Sequence, residues 1–125
     1  MDIAKYFTDI HGTGILSTSN DEGIVNSAVY AVPHIMDEGL LAFIMRERRT
    51  HDNIGKNAHA CYLFIEQGKM SGVRLYLTKV KEEKNSDLLF AIRKRCKEET
   101  CETKENLYLV YFKVDEVLPL IGPEN

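Results

Sequence analysis

The chain has no tryptophan, only three prolines and three cysteines in 125 residues, and no apolar run long enough to cross a bilayer. The cysteines, Cys61, Cys96 and Cys101, are odd in number and lack the paired spacing of a zinc site, so no metal centre is read. Cys61, in an apolar run, reads as a small core residue; Cys96 and Cys101 lie close enough for a regulatory disulfide near a helix end, a reading ranked below two unpaired thiols. The missing apolar run excludes a membrane helix, and Met1–Phe7 lacks the pattern of a signal peptide, so a cytoplasmic location is the default expectation. Positive charge is not in excess either: a net charge of −3 argues against general nucleic-acid binding, which needs a broad basic face. What remains is 44% hydrophobic and 28% charged, enough for one domain over residues 1–125 with a core that needs no disulfides. No internal repeat or low-complexity segment is present.

Against this acidic background, three of the six arginines crowd into four positions, Arg46, Arg48 and Arg49. They follow a nearly all-apolar strand, Leu40–Met45, and precede a short helix over Thr50–Lys56 with Thr50 as its N-cap and Asp52 in its first turn. A charged run between two elements is ordinarily a solvated turn. Here the order of the parts (buried strand, arginines, capping threonine, helix) favours an anion site. Free amides and the positive end of the helix dipole converge there, and guanidinium groups add forked, charge-assisted bonds suited to a phosphate.

The rest of the chain reads as mainly β. Asp2–Ile10 has the spacing of a short amphipathic helix through Ile3, Tyr6, Phe7 and Ile10. Strands are expected over Ile15–Ser19, Ile24–Val32, Leu40–Met45, Ala58–Glu66, Val73–Lys81 and Leu107–Val114, the second ended by Pro33. Ser86 caps a helix running to about Glu98, where Arg93, Lys94, Arg95 and Lys97 read as helix-end charge. Leu107–Phe112 is apolar on both faces and therefore central or at an interface. Three early strands follow one another with no helix between them, which parallel pairing forbids; an antiparallel six-stranded barrel with peripheral helices is the expected architecture.

In element order and local pattern, from Gly12 to about Gly122, the chain resembles the pyridoxamine 5′-phosphate oxidase-like FMN-binding split barrels. Gly14-Ile15-Leu16-Ser17-Thr18, Asp21-Glu22-Gly23 and Asn26-Ser27-Ala28-Val29-Tyr30 are similar to the family's first hairpin. Arg49 and Thr50 fall at its phosphate positions, followed by Asn53-Ile54, and Lys56–Phe64 is similar to its next connection and strand. The resemblance implies a homodimer with two FMN sites at the subunit interface. Asn26, Ser27 and Ala28 would lie beside the isoalloxazine ring, and Phe43, Ile44 and Met45 would pass beneath it, chiefly through main-chain atoms. Arg48, Arg49 and Thr50 would grip the phosphate, and Arg74 would supply a polar contact from the other subunit. Thr50 stands where the family commonly has a basic residue, which shifts weight to Arg46 or Arg48. The oxidases themselves carry a longer C-terminal segment with a tryptophan and arginines that bind substrate; this chain has neither, which speaks against that specific activity.

No residue stands out as a general acid or base. His51 can reach the phosphate or face water, and the water-facing reading is preferred; His59 reads as a strand-edge histidine. Flavin chemistry does not require such a group, since the cofactor carries the electrons. The leading expectation is an FMN-dependent oxidoreductase acting on a small molecule or reduced nicotinamide. A non-enzymatic flavin carrier or stress-related binding protein is the alternative. Haem binding or degradation ranks third, because no histidine has an evident ligand setting.

Overall fold

The structure, a computed structural model, describes residues 1–93 and 106–122. Its framework is one antiparallel sheet of seven strands: β1 (Gly12–Ser19), β2 (Val25–Val29), β3 (His34–Ile35), β4 (Leu41–Arg46), β5 (His59–Glu66), β6 (Gly72–Lys84) and β7 (Leu107–Pro119). They are ordered β2-β1-β5-β6-β7-β4-β3, each paired antiparallel with its neighbours. The sheet curls around a core without closing, and the helix α2 (Arg49–Lys56) bridges the opening by packing on β1, β2 and β4. The expected antiparallel barrel is therefore present, with seven strands in place of six. The added one is β3: the segment expected as a single strand to Val32 breaks after Val29, and His34–Ile35 pairs with Leu41 and Ala42.

Alternation along the strands sorts the side chains. Leu16, Leu41, Phe43, Met45, Tyr62, Phe64, Leu75, Leu77, Val110 and Phe112 point inward and form the main core. Around Phe43 the aromatic rings meet edge-on or tilted, with Phe43 5.1 Å from Tyr62 and 5.9 Å from Phe112 between centroids. That is the geometry ring quadrupoles favour. A second layer forms outside β4 and β7. There α3 (Asp87–Arg93), capped as expected by Ser86 Oγ accepting from Leu89 N at 3.1 Å, lays Leu89 on Ala42, Leu107, Leu109 and Tyr111. This layer is why Leu107–Phe112 is apolar on both faces: the strand is central within one subunit, so no second subunit is needed to cover it.

Other expectations shift for local reasons. The first helix, α1, is confined to Ile3–Tyr6, because Phe7 already leaves helical geometry and Asp9 has φ of 56°. Cys61 is not a core residue. It points to the outer face, paired across the strands with Ser17 and Tyr76, and partial burial pushes its thiol pKa up. The end of the third expected helix and the Cys96–Cys101 pair lie outside the described residues.

Gly14 shows how tightly β1 packs. Tyr62 Oη reaches across it to the carbonyls of Tyr30 and Ala31 at 3.1 and 3.0 Å, and a Cβ on Gly14 would lie 1.9 Å from that oxygen and 2.5 Å from Tyr30 O. Gly14→Ala is expected to destabilise the protein by about 1–3 kcal/mol, the usual cost of overpacking, read as a lower midpoint in thermal or urea unfolding.

Candidate functional site

The ends of β4 and β1–β2 converge on the first turn of α2. The chain turns sharply as it leaves β4: Arg48 N–H donates to Arg46 O at 2.8 Å, a one-residue turn centred on Glu47. The helix then starts at Arg49, so Arg48 occupies the N-cap position and no side chain caps it. This corrects the expectation for Thr50, which lies inside the helix. The first intrahelical bond runs from Asp52 N to Arg48 O at 3.0 Å. The amides of Arg49, Thr50 and His51 precede it and have no intrahelical acceptor. Arg46, Arg48 and Arg49 are all exposed around this end, and Arg49 makes no ion pair among the described residues.

What holds α2 in place is a row of polar side chains facing the barrel. Asn53, 4% exposed, donates from Nδ2 to Thr18 Oγ1 at 3.1 Å, and Asn57 donates to Ser19 Oγ at 3.1 Å. Asn26 Nδ2 donates to Thr50 Oγ1 at 3.4 Å, and the Thr50 hydroxyl in turn bonds the Tyr30 phenol. Burial nonetheless leaves the Tyr30 pKa raised. The buried Thr50 hydroxyl is thus committed to the fold, and the amide is what this residue presents at the helix end. His51 does not face open water. It stacks on Tyr108, with ring centroids 3.8 Å apart and planes 17° apart, and its Nε2 lies 3.0 Å from Glu82 Oε1. Burial works against the charge of Glu82, but Lys79 at 2.8 Å and His51 outweigh it and hold the carboxyl below its ordinary range.

The remaining sequence-derived positions divide between two faces. Asn26 and Ala28 share β2's inward side, while Ser27 turns outward and its Oγ lies 3.0 Å from Ser17 Oγ. Phe43 and Met45 are buried in the main core, and Ile44 packs in the layer under α3, so none of the three side chains lies open at a surface. Their backbone is a different matter: β3 covers β4 only at Leu41 and Ala42, so among the described residues no strand flanks that edge from Phe43 to Arg46. Arg74 lies apart from the arginine turn, on the outer face of β6, donating from Nε to Pro119 O at 2.9 Å and from Nη2 to Gly122 O. Sequence reasoning missed the bracing roles of His51, Asn57, Tyr108 and Glu47. The only signal was Asn53 and Asn57 on the same side of a helix as the core residue Ile54.

The architecture is an antiparallel split barrel. No protein-family model matches the chain, and no curated protein sequence does. Solved structures do. An FMN-binding protein from Syntrophomonas wolfei subsp. wolfei aligns with a TM-score of 0.72 at 17% identity, over 97% of this chain and 82% of that one. A pyridoxamine 5′-phosphate oxidase-related, FMN-binding protein from Nostoc punctiforme gives 0.70 at 12% identity, over 86% and 72%. General Stress Protein 26 from Bacillus anthracis gives 0.65 at 14%, over 94% and 90%. The chain thus has the fold of FMN-binding, pyridoxamine 5′-phosphate oxidase-related proteins, as its residue patterns had indicated. Among the described residues no helix is long and apolar enough to cross a membrane.

Asn53→Ala is expected to cost about 1–3 kcal/mol, because it strands the Thr18 hydroxyl in a buried setting. Chemical denaturation measures the loss, and an unchanged midpoint would remove Asn53 as the anchor of α2.

Proposed function

We propose that this protein binds FMN, with the phosphate at the head of α2, and works as an oxidoreductase on a small molecule or reduced nicotinamide. The observation that carries this reading is the donor set at that corner: an uncapped helix N-terminus, flanked by exposed arginines of which Arg49 has no ion pair among the described residues. A phosphate dianion gains most where several donors converge, and here they converge without a competing side-chain cap. Arg48 and Arg49 would hold the phosphate through their guanidiniums, and Thr50 through its amide. The open backbone edge from Phe43 to Met45 and the segment Asn26–Ala28 would border the ring. FMN, when bound, supplies the electron-carrying chemistry; the protein's part is to fix its position and charge environment.

The same reading makes the protein a homodimer. The sheet's outer face, opposite the core, carries a cross-strand row of Val29, Ile15, Leu63, Arg74 and Leu118. Val29 is 76% exposed and Val25, on the same face, 74%. A second copy is the occupant that suits a self-complementary apolar face, and it would bring a second Arg74 toward the interface.

Flavin fluorescence titration is expected to show Arg49→Ala weakening FMN binding about tenfold or more, the value of one charge-assisted hydrogen bond. Lys56→Ala, at the far end of the helix, should leave it nearly unchanged; equal affinities would reject the phosphate assignment. Anaerobic mixing with NADH or NADPH then separates a reductase, which bleaches the bound flavin, from a passive carrier, which does not. Sedimentation is expected to show a dimer at micromolar concentration and a monomer for Leu63→Glu, while a monomeric parent protein would remove the interface.

A further inference from the structure

The arginine turn contains its own neutraliser. Glu47 sits between Arg46 and Arg48 and two residues from Arg49, where its carboxylate would be expected to pair with a neighbouring guanidinium and compete with an incoming anion. The structure shows that carboxylate engaged elsewhere. Glu47 Oε1 accepts from the hydroxyl of Tyr108, at the start of β7, at 2.6 Å and from Nδ2 of Asn106, just before that strand, at 3.2 Å. Both donors are neutral, so they hold the carboxylate without adding a positive charge of their own. We propose that Tyr108 is a positioning residue that keeps Glu47 turned away from Arg49, leaving the charge of that guanidinium available to the phosphate.

Three features make Tyr108 suited to this. Its ring is buried in the main core and sandwiched on one side by His51, so the hydroxyl is aimed by packing. His51 is fixed in turn by Glu82, which Lys79 also holds, so the brace runs from β6 through α2 to β7. Asn106 is similarly oriented, since its Oδ1 accepts from Asn85 Nδ2 at 3.1 Å, which leaves its amide nitrogen for Glu47. The charge states agree with the geometry. The bond from Tyr108 holds the Glu47 carboxyl below its ordinary range, with Asn106 acting in the same sense, and the Glu47 carboxylate pushes the Tyr108 phenol up to about 12. At neutral pH the phenol is therefore the donor and the carboxylate the acceptor. The one-residue turn at Glu47 supplies the remaining element, because it separates this side chain from its two neighbours along the backbone.

This inference rests on the flavin reading, and the test separates the two. FMN and riboflavin differ only in the phosphate, so the ratio of their affinities isolates the corner. Tyr108→Phe keeps the ring and removes the donor. It is expected to weaken FMN binding about threefold, the size of an exposed ion-pair rearrangement, with riboflavin unaffected. Glu47→Gln added to Tyr108→Phe should restore FMN affinity to at least the parent level, because the carboxylate that was released is gone. A merely structural role for Tyr108 would not be rescued in this way. If Tyr108→Phe leaves the FMN-to-riboflavin ratio unchanged, or if the double variant stays as weak as the single one, the positioning role is overturned while the flavin reading stands. If the parent protein binds neither flavin, both fall.

Discussion

A single buried amide sets the geometry of the corner where β4 gives way to α2. Asn53 donates to Thr18 in the gap that the open barrel leaves, with both side chains nearly inaccessible to water. A polar group in such a place is retained only where it is bonded, so the contact fixes the rotation of α2 about its axis as well as its position. From that rotation the rest follows. Ile54 enters the core, Asn57 meets Ser19, Thr50 turns toward Asn26 and Tyr30, and Arg49 is left on the outside. A helix of eight residues has too little propensity of its own to be stable alone, so its orientation is dictated by these contacts.

The residues at the corner therefore do two kinds of work. Those facing the barrel are neutral and saturated: hydroxyls, amides and a phenol bonded to one another. Those facing outward carry charge, with Arg49 making no ion pair among the described residues, and the amides of the first helical turn have no intrahelical acceptor. The division keeps positive charge out of the core, where its desolvation would be costly, and concentrates it where solvent or an anion can meet it. It also explains why the run of arginines gives way to a threonine at position 50. Its hydroxyl belongs to the inner set and its amide to the outer one, so a cation at that position would have had to be buried beside Tyr30 and Asn26.

Much of this was legible in the sequence. Alternation placed the strands, because period-two patterns in Val73–Lys81 and the apolar run in Ala58–Glu66 leave one face to bury. The arginine turn was visible as three arginines in an otherwise acidic chain, after an apolar strand and before a helix. The position of Ser86 identified its helix cap correctly. What could not be read were the contacts between elements distant in the chain. Glu47 and Tyr108 are 61 positions apart, His51 and Glu82 are 31, and neither pair has a local signature. His51 looked solvent-facing because its own neighbours are polar; the ring that covers it comes from another strand. The cap was misplaced by two residues for the opposite reason. Local preference favours threonine over arginine as a cap, and the tertiary bonds of Thr50 overrode it.

The same logic accounts for the two faces of the sheet. Inward positions are large and close-packed, and at Gly14 the packing is close enough to exclude even a methyl group. Outward positions on β2, β1, β5, β6 and β7 are mixed and partly apolar, with Ser17, Ser27, Cys61 and Arg74 among Val29, Ile15, Leu63 and Leu118. A surface meant only for water has no reason to place two valines on an edge strand at about three-quarters exposure, since such a strand invites unwanted pairing. A surface meant for permanent burial would have excluded an arginine unless its charge were met. Arg74 is met, by the carbonyls of Pro119 and Gly122, which draws the end of β7 across the face and leaves the guanidinium partly satisfied before any partner arrives. In the homodimer proposed above, such a face would meet a second copy, and the arginine could remain charged there at little cost.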